Sequence, residues 1–240
     1  MRFTETYTSG THTSIKFDIY QPNVILRYKG IIQIHHGLCE YSERYKKFAE
    51  YLSHEGFIVV VSDFPGHGTS LYKFEQGYFG KGNALDTLVE DIQRLRHIIT
   101  KRYEDLPYFM LGVDLGSLVL LKYAGVYGDY INGMILLGTC MKNSFYYRMK
   151  MIVDFNILLH GQMNHSRVIK KAIDLFLQRN LNGNYKMTNT KEVNLYMEDP
   201  LTDFVYTNQA YRDILDYIKY TSDEEPVSYT HLRAHETPEH

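Results

Sequence analysis

Residues 107–127 leave this chain few ways to fold. Residues 107–113 form a short apolar run, residues 115–127 read as a helix, and Asp114 alone separates them. Gly112 and Gly116 stand two residues to either side, where a strand that turns into a helix within one residue has no room for side chains. Such a turn lifts the Asp114 side chain off the carboxyl edge of a sheet. It also aims the unpaired N–H groups of the helix N-terminus at whatever that side chain faces.

The rest of the chain alternates between the two periods. Residues 3–8 and 13–20 alternate polar and apolar about Ser9-Gly10-Thr11, the pattern of a β-hairpin. Residues 30–35 form a short apolar strand. Ser42 is expected to cap a helix reaching about Glu55, with Tyr45, Phe48, Ala49 and Leu52 on one face and Gly56 closing it. Residues 57–62 are apolar and β-branched without alternation, as in a strand covered on both faces. Pro65-Gly66-His67-Gly68 is a turn. Leu85, Leu88, Ile92, Leu95 and Ile99 stripe an amphipathic helix over 84–103, and residues 133–138 are a further strand. Strands alternating with helices predict an α/β fold, a mainly parallel sheet with helices on both faces.

The texture changes after Thr139. Met149, Ile152, Val153, Leu158 and Leu159 lie in one apolar stretch, and Ile169, Ala172, Ile173, Leu175 and Phe176 in another, with no convincing strand between 140 and 195. This predicts a helical cap inserted over 140–198. Asp199-Pro200-Leu201 marks a turn and 208–220 a final helix. Residues 1–139 are then the core, and 199–225 return to it without completing it. Residues 226–240 have no apolar period, and 226–237 resemble the translation of a transposon-based sequencing-library adapter. They are left out of the fold, and the natural chain is expected to continue past Glu225. His231 and His235 have helical metal-ligand spacing but lie in that tail without a third ligand. No metal or other cofactor is expected.

Twenty-six lysines and arginines against 28 aspartates and glutamates supply no field for nucleic acid. The start has no basic-then-apolar leader, and no apolar run is long enough to span a bilayer. Cys39 and Cys140 are expected as reduced thiols, which fits a cytoplasmic setting. The 22 tyrosines, beside no tryptophan, have no explanation at this level.

The loop sequences are more specific. His36-Gly37-Leu38-Cys39-Glu40-Tyr41-Ser42-Glu43-Arg44-Tyr45 resembles the H-G-x-x-E-H-S-x-R-Y stretch of the monoacylglycerol lipase and lysophospholipase branch of the α/β-hydrolases. Asp63-Phe64-Pro65-Gly66-His67-Gly68-Thr69-Ser70 resembles its D-x-R-G-H-G-x-S, and Leu111-Gly112-Val113-Asp114-Leu115-Gly116-Ser117 its L-G-H-S-M-G-S. Asp199-Pro200-Leu201 falls where that branch ends its cap with D-P-L. The resemblance runs in order from about residue 5 to 225. It implies the α/β-hydrolase fold and a hydrolase of carboxylic esters, with a small acyl-ester or lipid-like substrate under a helical cap. It also implies that the backbone N–H groups of Leu38 and Leu115 are the oxyanion donors, each worth about 2.7–4 kcal/mol of barrier. Asp114 then holds the nucleophile position.

Two departures follow. That branch has serine where this chain has Asp114, and it places its triad acid and histidine after the cap, beyond the last residue here. Without histidine there is no base for a serine or for freeing an aspartyl ester. Ser117 is expected to serve helix–strand packing, not attack. Three readings stay open. One is an ester hydrolase of that branch. Another is an aspartate-nucleophile enzyme like epoxide hydrolases, although those usually carry histidine where Val113 stands. The third is a non-catalytic binder of an acyl ligand or a partner, in which Asp114 fills the oxyanion site with its own oxygen, favoured there by the helix N-terminus. His67 is expected to be satisfied by nearby backbone, His35 and His36 to shape the loop, Cys39 to be buried and inert, and Glu40 to pair with Arg44.

Overall fold

The computed structural model describes residues 1–23, 27–71, 73, 75–140, 142, 144–180 and 190–223. The expectations for 226–240 fall outside these residues, as do those for the side chains of Leu85, Leu175 and Phe176.

Strands β1 (Arg2–Thr8) and β2 (Ser14–Tyr20) form the expected hairpin. Strands β3 (Gly30–His35), β4 (Phe57–Ser62), β5 (Tyr108–Val113) and β6 (Gly133–Leu137) complete one sheet in the order β1-β2-β4-β3-β5-β6. The hairpin joins antiparallel, through β2 on β4, whereas β4, β3, β5 and β6 are mutually parallel. In register, His35 pairs with Ser62 and Gly112, and Val113 pairs with Leu137, so all four parallel strands end at one edge. The loops after them therefore meet there, which is where open α/β sheets place their sites.

Helix α1 (Lys46–His54) and Tyr45 just before it cover one face, packing Ala49, Leu52 and Tyr45 on Ile34, Val59 and Val61. Helices α2 (Ala84–Arg102) and α3 (Leu115–Tyr127) cover the other, with Leu88, Ile92, Leu95 and Ile99 of α2 fully inside. Two local expectations fail. Ser42 does not cap α1 with its side chain. It opens a 3-10 turn, Ser42–Tyr45, and its N–H donates to Asp63 Oδ1 at 2.8 Å, because the loop is tied across to the next strand instead. Phe48 stands exposed, since α1 buries only the centre line of its stripe.

The segment after Cys140 is helical, with no strand among its described residues: α4 (Tyr146–His160), α5 (Arg167–Asn180) and α6 (Thr190–Glu198). The last helix, α7 (Asn208–Asp223), returns to pack on α3, α2 and α4. Tyr146, Met149 and Val153 of α4, Ile169 of α5 and Tyr196 of α6 join the large core cluster. None of the described helices is long and apolar enough to cross a membrane.

Candidate active site

The turn at residue 114 is held by main chain. Asp114 has φ 48° and ψ −108°, a conformation that costs a non-glycine residue about 1–3 kcal/mol unless its surroundings enforce it. Its N–H donates to Leu137 O on β6 at 2.8 Å. Its carbonyl receives Ser117 N–H at 3.0 Å and Ser117 Oγ–H at 2.6 Å. Ser117 is thus spent on locking the turn. A Cβ on Gly112 would lie 2.6 Å from Gly116 O, and one on Gly116 would lie 2.3 Å from His35 O. Both glycines are therefore sterically required, and the Gly116 N–H reaches His36 O at 3.1 Å across the same contact.

This contact brings the loop after β3 over the turn. The N–H of Leu38 donates to Asp114 Oδ2 at 3.2 Å, so the structure joins two of the three residues expected at the site. The third, Leu115, begins α3. Its side chain is in the core, and its N–H sits in the first turn, where a helix offers no acceptor. The preceding amide, Gly37 N–H, points at a second carboxylate, Glu40 Oε2, also at 3.2 Å. Glu40 receives Tyr45 Oη–H at 2.8 Å and approaches Arg44 Nε at 3.9 Å, the expected pairing in a loose form. Two consecutive amides of the loop are thus directed at carboxylates of the chain itself.

The histidines here hold structure. His36 Nδ1–H donates to Gly37 O and its Nε2 accepts from Phe64 N–H, so both ring nitrogens are used. Burial holds it below the usual imidazole range against the pull of Asp63. His67 is lowered well below that range, by burial and then by His36. Its Nδ1–H donates to Pro65 O at 3.0 Å, as expected of a backbone-satisfied side chain. His35 is wholly buried, pushed down to about 3 by burial and by His36, and its Nε2 has no partner among the described residues. Burial favours the neutral form in all three. Neither cysteine is in a disulfide. Cys140, half-buried, is pushed up to about 11 by burial and then by the charge of Asp114, which makes it a poor nucleophile. Among the described residues no cluster of histidine, cysteine and carboxylate is placed to hold a metal ion.

Sequence reasoning missed the tyrosines. Tyr206 Oη receives Cys39 N–H at 2.9 Å and lies 2.7 Å from His67 Nε2, and Tyr196 Oη–H donates to Cys39 O at 3.1 Å. Tyr41 Oη–H donates to Asp199 Oδ2 at 2.8 Å. The hydroxyls therefore bind the 37–41 loop to residues 196–206. The only signal in the sequence was the excess of tyrosine itself.

The arrangement offers an N–H donor, a helix N-terminus and a carboxylate at one sheet edge. The serine aminopeptidase S33 family description matches residues 27–229. The chain belongs to this family. It is 30% identical over 108 residues to protein phosphatase methylesterase 1 of Candida albicans, a match covering 45% of this chain and 28% of that protein. It is 29% identical over 109 residues to monoglyceride lipase of Mus musculus, covering 45% of this chain and 34% of the relative. These matches span about a third of the relatives' own length. A carboxyl esterase structure from Bacillus coagulans superposes with a TM-score of 0.80 at 23% identity, over 92% of this chain and 73% of that one. That likeness fixes the fold: an α/β-hydrolase, of the monoglyceride lipase and esterase branch that the family match and relatives indicate.

Proposed function

We propose that this chain is a monoacylglycerol-lipase-type scaffold that binds an acyl ester or similar lipid without turning it over. In this reading Asp114 stands at the nucleophile position, Leu38 and Leu115 are the oxyanion donors, and residues 140–198 are the cap. The observation that carries it is the hydrogen bond from Leu38 N–H to Asp114 Oδ2. A carboxylate so placed occupies the donor that an ester carbonyl would need. It is itself stabilised by the helix N-terminus, to about 0.3–1 kcal/mol. Among the described residues, His35, His36 and His67 of the loops beside it are buried, which favours their neutral form. The two thiols fit a reducing compartment such as the cytoplasm.

The test uses two long-chain ligands, a monoacylglycerol and its ether analogue, which lacks the carbonyl. Asp114→Ala frees the Leu38 donor. The variant is expected to bind the ester about five- to tenfold more tightly than the unaltered chain, one net hydrogen bond, and the ether equally well. Equal ester affinity in both proteins would sink the plugged-donor reading. Ester turnover by the unaltered chain that survives Asp114→Ala would remove residue 114 from the site altogether.

A further inference from the structure

Cys39 follows the Leu38 donor and has φ 52°, left-handed and unfavourable for a side chain with a Cβ. Such a residue keeps its conformation only where several contacts fix it. Here the contacts come from far along the chain. Its N–H goes to Tyr206 Oη at 2.9 Å, its carbonyl receives Tyr196 Oη–H at 3.1 Å, and its thiol meets Phe204 O at 3.5 Å. The Tyr206 hydroxyl has a defined direction. Pro65 O can only accept, so the neutral His67 carries its hydrogen on Nδ1 and offers Nε2 to Tyr206 Oη–H. A single ordered chain of hydrogen bonds therefore runs from Cys39 N–H through Tyr206 and His67 to the turn after β4. Both tyrosines are almost fully buried, and Arg44 stacks on Tyr196 at 4.9 Å, bringing the far end of the same loop to α6.

We propose that Tyr206 and Tyr196 are positioning residues: by holding Cys39 left-handed they set the direction of the Leu38 N–H toward residue 114, and they make the loop move together with the segment from α6 to residue 206. The proposal takes the meaning of the Leu38 donor from the reading above, but the geometry it asserts is independent of it.

The experiment is native-state hydrogen exchange on the full chain, read at single amides, without ligand. Tyr206→Phe keeps the ring and removes the hydroxyl. Exchange at Leu38 and residue 39 is expected to rise about tenfold, the loss of one net hydrogen bond, while β3 and β5 amides keep their rates. Adding Cys39→Gly is expected to restore most of the protection at Leu38, because glycine holds a positive φ unaided. A rate at Leu38 within about twofold of the unaltered chain overturns the proposal. So does a rise shared equally by β3 and β5 with no rescue by Cys39→Gly, which is what a purely packing role gives. Should Tyr206→Phe not fold, Tyr196→Phe decides in the same way: a rise confined to the loop supports the proposal, and an unchanged Leu38 refutes it. Because no ligand is present, failure of the ester-binding test leaves this result standing, and the converse also holds.

Discussion

Strand β4 and helix α4 look alike in sequence and are buried in opposite manners. Phe57-Ile58-Val59-Val60-Val61 is a continuous apolar run, and Ile58 through Val61 are fully inside, packed alternately against α1 and against the larger core. Met149-Lys150-Met151-Ile152-Val153 and the residues up to Leu159 are also mostly apolar, yet only Tyr146, Met149 and Val153 are buried in α4. Met151, Phe155 and Leu158 on the other side are 70%, 61% and 78% exposed. The polar groups are inverted as well. Asp213 on α7, the helix that α4 packs against, is buried with its Oδ2 unpartnered among the described residues. A strand of an internal sheet has two faces, and both are covered. A helix has a circumference, and the described chain covers one side of it. Continuous apolar sequence therefore identifies a buried strand and leaves a helix undecided.

The sharpest break of this comparison is at the sheet edge. Gly116→Val places a side chain against His35 backbone, which cannot yield, and is expected to cost more than about 4 kcal/mol, read as loss of cooperative urea unfolding. Next, Leu88→Ala on α2, facing the sheet, is expected to lower stability by about 3 kcal/mol. Asp213 gives a pH-dependent effect of the opposite sign. Burial raises its carboxyl to about 7, with the charge of Asp216 adding to it and Gln209 opposing. Its folded pKa is above the unfolded one, so its contribution is fully present below about 4 and lost as pH rises through about 7. Asp213→Asn is therefore expected to be more stable than the unaltered chain at pH 8, by about 1–2 kcal/mol, with the advantage gone at pH 4. Smallest is Leu158→Ala on α4, expected within about 0.5 kcal/mol of the unaltered chain. A loss there comparable to that of Leu88→Ala would show that the outer side of α4 is covered in solution, and would dissolve the contrast.

How much the sequence revealed follows the same physical division. Strands β3, β4 and β5 were legible as short apolar runs, helix α2 by its amphipathic stripe and α3 by its place directly after the glycine-flanked turn. The turn at 114 was legible because it is local, a strand and a helix joined through two glycines. The contact of Leu38 with Asp114 was visible only as one of three open readings, since nothing local chooses which acceptor an N–H takes. Cys39 was expected to be buried, and is, but its ties to Tyr196 and Tyr206 were not legible at all. Their hydrogen bonds cross more than 150 residues, and no periodicity encodes a partner at that distance.

The turn also bears on descent. Every group that shapes it is a glycine, a backbone N–H, a backbone carbonyl or the hydroxyl of Ser117. The Asp114 carboxylate is not one of these groups; it meets the Leu38 N–H of the neighbouring loop. The turn's own hydrogen bonds therefore set no requirement on the side chain at 114, and a lineage can exchange an attacking group for a blocking one, or return, with the turn kept.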